Sequence, residues 1–198
     1  MRIYTKKGDS GLTDTLSGNR VHKNDPRIHL LGCVDELSTY LGNAKLLLKE
    51  LEQKEISDIQ QKLIQIMGSI SSGFEKNIAL SEDCISFEAQ IDEFSQMYPP
   101  LSGFVIPGEC EAASRMDLAR TAARRAEREL VGMKSHYRIP ADYYSYFNRL
   151  SDYLFAWARR LEFREKIQQL LEEEQKENGE AQNNRKDILE INRLLAKE

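Results

Sequence analysis

Leu30, Val34, Leu37, Leu41, Ala44, Leu48 and Leu51 follow one another at alternating steps of four and three residues. On an α-helix that spacing gathers them into one stripe, the seam along which bundled helices pack. Ile59, Leu63, Ile66 and Ile70 repeat the pattern, as do Phe87, Ile91, Phe94 and Tyr98. Phe147, Leu150, Leu154, Trp157 and Leu161 repeat it again. An alanine- and arginine-rich stretch from about Ala112 to Met133 supplies one more helix. The expectation is an all-α chain of five helices. Asp25-Pro26 marks the start of the first and Pro140-Ala-Asp142 the start of the last.

Two segments escape the helical period. Residues 1–24 carry Gly8, Gly11 and Gly18 among Thr, Ser, Asp and Asn, and read as a loop with at most a short strand. Tyr98 to Gly108 is a long connection whose apolar centre, Phe104-Val-Ile106, lies between turn residues. Long loops in compact domains are often functional. Past Lys166 the chain turns Glu-, Gln- and Lys-rich. The expected division is a helical domain over 1–166 and a charged extension over 167–198. That extension is helical at first and frays, with a short helix near Ile188 to Leu195.

With 198 residues, 40% of them hydrophobic, the chain can bury one substantial core. Its net charge of −4 argues against nonspecific nucleic-acid binding. The polar N-terminus lacks the apolar core of a signal peptide, and no run is apolar enough to span a membrane. Cys33, Cys84 and Cys110 are scattered, and His22, His29 and His136 have no ligand spacing. A disulfide framework and a structural zinc site are therefore not expected, and a reducing cytoplasm fits.

Against this acidic background stands a row of like charges. Arg120, Arg124 and Arg128 are four residues apart and share one helical face, where they repel by a few tenths of a kcal/mol per pair. Guanidinium is a planar, permanently charged fork suited to carboxylate or phosphate. Glu127 and Glu129 allow a salt-bridged surface as the plainer account, although few acids lie on the row's own face, the nearest being Asp117, one turn before Arg120.

Three further clusters bear on chemistry. In Thr5-Lys-Lys-Gly-Asp-Ser-Gly-Leu-Thr13 the glycines admit close backbone approach, while lysines and hydroxyls can meet phosphate oxygens. The spacing is not that of a P-loop, and a flexible polar terminus would look the same. Lys23 and Arg27 add positive charge nearby. Asp35 and Glu36 interrupt an apolar helix near its start, either to oppose the helix dipole or to meet the arginine row. Asn148, Arg149 and Asp152 lie among seam positions of the last helix. They would either contact a ligand or fix helix register.

Taken together and in order, these segments resemble the PduO-type ATP:cob(I)alamin adenosyltransferases. The resemblance rests on Tyr4 to Thr13, Lys23-Asn-Asp-Pro-Arg27, Val34-Asp-Glu-Leu-Ser38, Phe104-Val-Ile-Pro-Gly108, Ala119 to Arg128 and Asn148 to Phe155. It implies a five-helix bundle with ferritin-like up-and-down packing, assembled as a homotrimer with active sites between subunits. ATP, with Mg²⁺, would be held by the N-terminal loop of one subunit through Thr5, Lys6, Lys7, Gly8, Thr13, Asp14 and Lys23. The neighbour would contribute Arg124, Arg125, Glu127, Arg128 and Asn148. Asp35 would pair with Arg124 across the interface, Arg128 would contact triphosphate, and Phe104 would wall the lower face of the corrinoid.

The implied reaction needs no protein nucleophile, because cob(I)alamin itself attacks C5′ of ATP and expels triphosphate. Positioning and electrostatic preorganisation would be the protein's task. The family's partners would be a flavoprotein reductase and a B12-dependent mutase. A non-catalytic corrinoid carrier delivering cofactor to such a mutase is the alternative. The sequence departs from the family at Asp117, a corrinoid-side position where many relatives carry histidine. It departs also at Ser38 for the usual asparagine and at Ser10 for a common lysine.

Overall fold

The computed structural model describes residues 4–98, 100–101 and 103–195, with side chains as far as Lys176. Residues 1–3 of the N-terminal loop, Pro99 and Ser102 of the long connection, and residues 196–198 of the extension lie outside the described residues. Among the described residues five α-helices carry the fold: α1 (Pro26–Lys45), α2 (Glu50–Ser71), α3 (Ser81–Ser95), α4 (Glu111–Gly132) and α5 (Ala141–Leu195). A single 3-10 turn, Met133–Ser135, links α4 towards α5.

The start of α1 is set as its sequence suggests. The Asp25 side chain accepts the Arg27 backbone N–H at 2.9 Å, and Pro26 fills the first turn where its missing donor costs nothing. At its other end the structure departs from the seam reading. The helix stops at Lys45, and Leu51 opens the next helix with its side chain 83% exposed. The cause is local: Glu52 accepts the Lys49 backbone N–H at 3.0 Å, which starts α2 afresh. Beyond the bundle, α5 stays helical through Gly179 to Leu195 instead of ending before a separate short helix.

Side-chain pairs give the helix directions. Glu36 meets Arg125 while Arg115 reaches the Asn43 carbonyl, so α1 and α4 run antiparallel. Asn148 with Glu127 and Arg159 with Asp117 set α5 antiparallel to α4. Lys45 with Ser57 and Gln60 with the Ser38 carbonyl do the same for α1 and α2. α3 runs parallel to α5, as the Glu88–Arg149 and Gln90–Tyr153 pairs require. The result is an up-and-down bundle. One end gathers the starts of α1, α3 and α5; the other holds the Tyr98–Cys110 connection.

The seams converge on one core. Leu30, Val34, Leu37, Leu41 and Ala44 are fully buried, and so are Leu63, Ile66, Ile70, Phe147, Leu150, Leu154 and Trp157. α4 meets this core through Ala113, Ala119, Ala122, Ala123 and Ala126. Small side chains there let α4 pack against both α1 and α5, while its opposite face keeps the arginines. α5 answers with bulk: Tyr143, Tyr146 and Tyr153 are also fully buried, with Tyr153 stacked on Phe87 at 5.0 Å between ring centroids. No helix among the described residues is long and apolar enough to cross a membrane.

Candidate active site

The N-terminal loop is more ordered than its composition suggests. Leu12–Asp14 pairs antiparallel with Arg20–His22, placing Thr13 opposite Val21. The intervening turn uses Gly18 at φ +81 and buries Thr15, whose hydroxyl donates to the Asn19 carbonyl at 2.9 Å. The Leu16 backbone N–H donates to the Ser71 hydroxyl at 2.9 Å, so the hairpin is docked on the end of α2.

Before the hairpin the backbone folds tightly. Gly11 donates to the Gly8 carbonyl at 3.2 Å and Lys23 donates to the Gly11 carbonyl at 2.9 Å. Lys6 has φ +58, a left-handed conformation that costs a non-glycine residue about 1 kcal/mol or more and tends to cluster at ligand sites. A Cβ on Gly8 would stand 3.1 Å from the Lys23 ammonium, so glycine lets that charge fold against the loop. Thr5, Lys6, Lys7 and Lys23 are exposed; Thr13 is half-buried. Asp14 is engaged by Arg20 at 3.3 Å, and Arg20 also donates to the Lys7 carbonyl at 2.6 Å.

On α4 the three row arginines meet different fates. Arg120 donates from Nε to Asp117 Oδ1 at 2.7 Å. Arg124 and Arg128 are exposed, and no ion pair holds either among the described residues. Arg125, one step round the helix, turns instead to α1, where Glu36 takes its guanidinium. Glu127 accepts from Asn148 Nδ2 at 3.2 Å, while Asn148 Oδ1 accepts from Arg149 at 2.9 Å. Of the two carboxylates near the start of α1, Glu36 is thereby committed within the chain. Asp35 is exposed, and its carboxylate meets no cation among the described residues.

Asp117 does not face solvent. It is 4% exposed, and its second oxygen, Oδ2, accepts from Arg159 Nη2 at 2.5 Å. Asp117, expected on the corrinoid side, acts within the chain as a buried counter-ion. Arg159 is itself 3% exposed and lies beside Glu162, with Nη2 to Oε1 at 3.0 Å. Burial pushes the Glu162 carboxyl above its ordinary pKa, and Arg159 opposes that rise. Both Arg120 and Arg159 stand over the Phe155 ring, at 5.9 and 5.1 Å. Arg159 and Phe155 are the site residues that motif reasoning did not nominate. Phe155 closes the Asn148–Phe155 segment, and Arg159 shows in the sequence only as a charge within the apolar seam of Leu154, Trp157 and Leu161.

Phe155 lines a cleft with Tyr98, Leu101, Arg149 and Asp152. The connection that borders it carries Phe104 fully exposed, with Ile106 at 82%. Two such apolar side chains left in water would gain about 1.5–3 kcal/mol each from being covered. Among the described residues the arrangement therefore offers unpaired guanidinium groups on one helix, a glycine loop with exposed lysines and a bare aromatic loop.

Residues 3–161 match the family described as cobalamin adenosyltransferase. The corrinoid adenosyltransferase PduO of Salmonella typhimurium is 38% identical over 165 residues, covering 80% of this chain and 49% of that protein. The corrinoid adenosyltransferase of Bacillus subtilis is 38% identical over 169 residues, covering 80% and 86%. The chain spans about half the length of the Salmonella and Citrobacter freundii PduO proteins it matches. Among solved structures, a variant PduO-type ATP:corrinoid adenosyltransferase from Lactobacillus reuteri complexed with cobalamin and ATP superposes with a TM-score of 0.79 at 33% identity. It covers 83% of this chain and 93% of that one. The chain belongs to the cobalamin adenosyltransferase family.

Proposed function

We propose that this protein transfers the 5′-deoxyadenosyl group of ATP to cob(I)alamin, giving adenosylcobalamin and triphosphate. The observation that carries the reading is the exposed pair Arg124 and Arg128, without a carboxylate partner among the described residues on a helix whose neighbouring arginines are all paired. An unpaired guanidinium pair suits a polyphosphate leaving group.

In the reaction the Co(I) electron pair attacks C5′, the cobalt–carbon bond forms, and the C5′–O bond breaks with its electrons leaving on triphosphate. Charge therefore accumulates on the leaving group. Arg128, with Arg124 and the loop cations Lys6, Lys7 and Lys23, would neutralise it through donors fixed before the reaction, which is where such stabilisation is most effective. Among the described residues no cluster of three or more His, Cys, Asp or Glu side chains could hold a metal ion. A basic donor set of this kind suits Mg²⁺ delivered on the phosphates of ATP. Phe104 would cover the lower face of the corrinoid, displace its axial ligand and exclude water, which eases formation of Co(I).

Homotrimeric assembly belongs to the same reading. Asp35, Arg124 and Arg128 all face outward from one chain, so an Asp35–Arg124 pair would be made with a neighbouring subunit, leaving the remaining donors of the Arg124 fork and all of Arg128 for the phosphates and bringing that neighbour's glycine loop to the row. Residues 1–166 would form the catalytic unit and 167–198 an extension, since the family match ends at residue 161. A flavoprotein reductase would supply the electron and a B12-dependent mutase would use the product, both in the cytoplasm.

Anaerobic mixing of the protein with Mg-ATP and chemically reduced cobalamin tests the reading through the corrinoid absorption spectrum. Conversion to adenosylcobalamin is expected. Corrinoid binding without conversion would replace the enzyme by a carrier.

A further inference from the structure

Long side chains on a helix lean towards its N-terminus, so each arginine of the row lies over the turn before it. For Arg120 that turn contains Asp117; for Arg124 and Arg128 it contains another arginine. Asp117 is satisfied twice, by Arg120 Nε at 2.7 Å and by Arg159 Nη2 at 2.5 Å, and Glu162 stands 3.0 Å from Arg159. Two guanidiniums are thus matched by two carboxylates, and both guanidiniums are further held over Phe155. The neutral part of the row ends at Arg120. What remains open is a window of one helical turn, about 6 Å along the axis, from Arg124 to Arg128.

Resting on the triphosphate role of those two arginines, we propose that Asp117 is a positioning residue that withdraws Arg120 from the anion row and so limits how tightly triphosphate is held. A third free arginine at the same spacing would strengthen binding of the ground-state phosphates and of the departing product, and a product held more tightly is released more slowly. Asp117 prevents this by turning Arg120 back onto Phe155. It also ties the row to the aromatic cleft, because the same carboxylate holds Arg159 on α5.

The test is titration of inorganic triphosphate into the full-length protein by calorimetry, at low and at moderate salt. Asp117→Asn is expected to tighten binding about tenfold and to make it more salt-dependent. Adding Arg120→Gln to that variant should return the affinity to the wild-type value, and Asp117→Glu should keep it there. In turnover, Asp117→Asn should lower KM for ATP together with kcat, and strengthen product inhibition by triphosphate. A loss of folding alone would lower apparent kcat but would neither tighten triphosphate binding nor lower KM. Unchanged binding in Asp117→Asn, or tightening that survives the loss of Arg120, overturns the proposal. Arg120→Gln alone gives an independent check, because Asp117 keeps Arg159: affinity should stay within about twofold, and a larger loss would show that Arg120 already serves the anion. If the wild type and Arg128→Ala bind triphosphate equally weakly, the triphosphate reading itself fails, a result separate from either outcome at Asp117.

Discussion

Arg120 and Arg128 sit two turns apart on one face of one helix, yet they inhabit different chemistry. Arg120 is bound to a carboxylate that also holds the buried Arg159, and its guanidinium lies over an aromatic ring. Arg128 extends into solvent without an ion-pair partner among the described residues. The first arrangement belongs to the packing of α4 on α5. The second is of no evident use to the folded chain alone. Position on a helix therefore does not determine what an arginine does; the carboxylate within its reach does.

Substitutions can break that contrast from either side. The largest effect is expected at the paired end: Asp117→Ala leaves Arg159 buried with only Glu162 and should lower the unfolding free energy by about 3–5 kcal/mol, read from denaturant melts. Arg128→Ala should do the reverse, reducing turnover roughly 10²–10³-fold while stability stays within about 0.5 kcal/mol. If Arg128→Ala destabilises the chain and spares turnover, the two ends of the row have been misassigned. Phe104→Ala should slow the reaction from cob(II)alamin roughly tenfold more than the reaction from prereduced cob(I)alamin. Equal losses would remove its proposed axial-ligand role.

Smaller effects sharpen the comparison further. Asp35→Asn should weaken assembly by about 1 kcal/mol per pair, seen as a concentration-dependent shift in sedimentation, with the isolated fold unaffected. Arg27 offers a paired arginine near the hairpin, and its hydrogen bond to Asp25 holds that carboxyl below the ordinary range. Asp25→Ala should cost about 1 kcal/mol at neutral pH. Because the folded pKa of Asp25 is lowered, its contribution is complete above the unfolded carboxylate pKa and fades as pH falls through the folded value. The stability gap between Asp25→Ala and wild type should close in acid.

Much of the bundle was readable from spacing. The residues from Leu30 to Ala44 that repeat every three or four positions are those the core buries, and Asp25-Pro26 starts α1 where its chemistry says it should. The reading overran at Leu51, because a heptad count continues through a turn that a capping carboxylate, Glu52, has already imposed. It also saw only one face of α5. Tyr143, Tyr146 and Tyr153 form a second buried stripe because that helix packs on both α3 and α4, which a single-seam rule does not anticipate. Residues 1–24 read as a loop with at most a short strand, and the pairing of Leu12–Asp14 with Arg20–His22 escaped because three-residue strands carry no measurable alternation.

At the site, the shared face of the three arginines was legible, as was Asp117 one turn before Arg120, but what Arg120 does was not. Separating Arg120 from the others depends on Asp117 being shared with Arg159, a residue 42 positions further along the chain. Such a contact exists only once α4 and α5 have packed antiparallel. Likewise, Phe104 could be placed in an apolar loop centre, but its complete exposure is a property of the folded connection.

The central claim is that the open arginines serve a triphosphate leaving group during transfer to cobalt. It is tested most directly by counting inorganic triphosphate released against adenosylcobalamin formed, in wild type and Arg128→Ala, under anaerobic single-turnover conditions with prereduced cobalamin. The account predicts one triphosphate per cobalt–carbon bond in the wild type and a parallel, roughly 10²–10³-fold slowing of both in the variant. Equal rates in the two proteins, or triphosphate released without adenosylcobalamin, would contradict it.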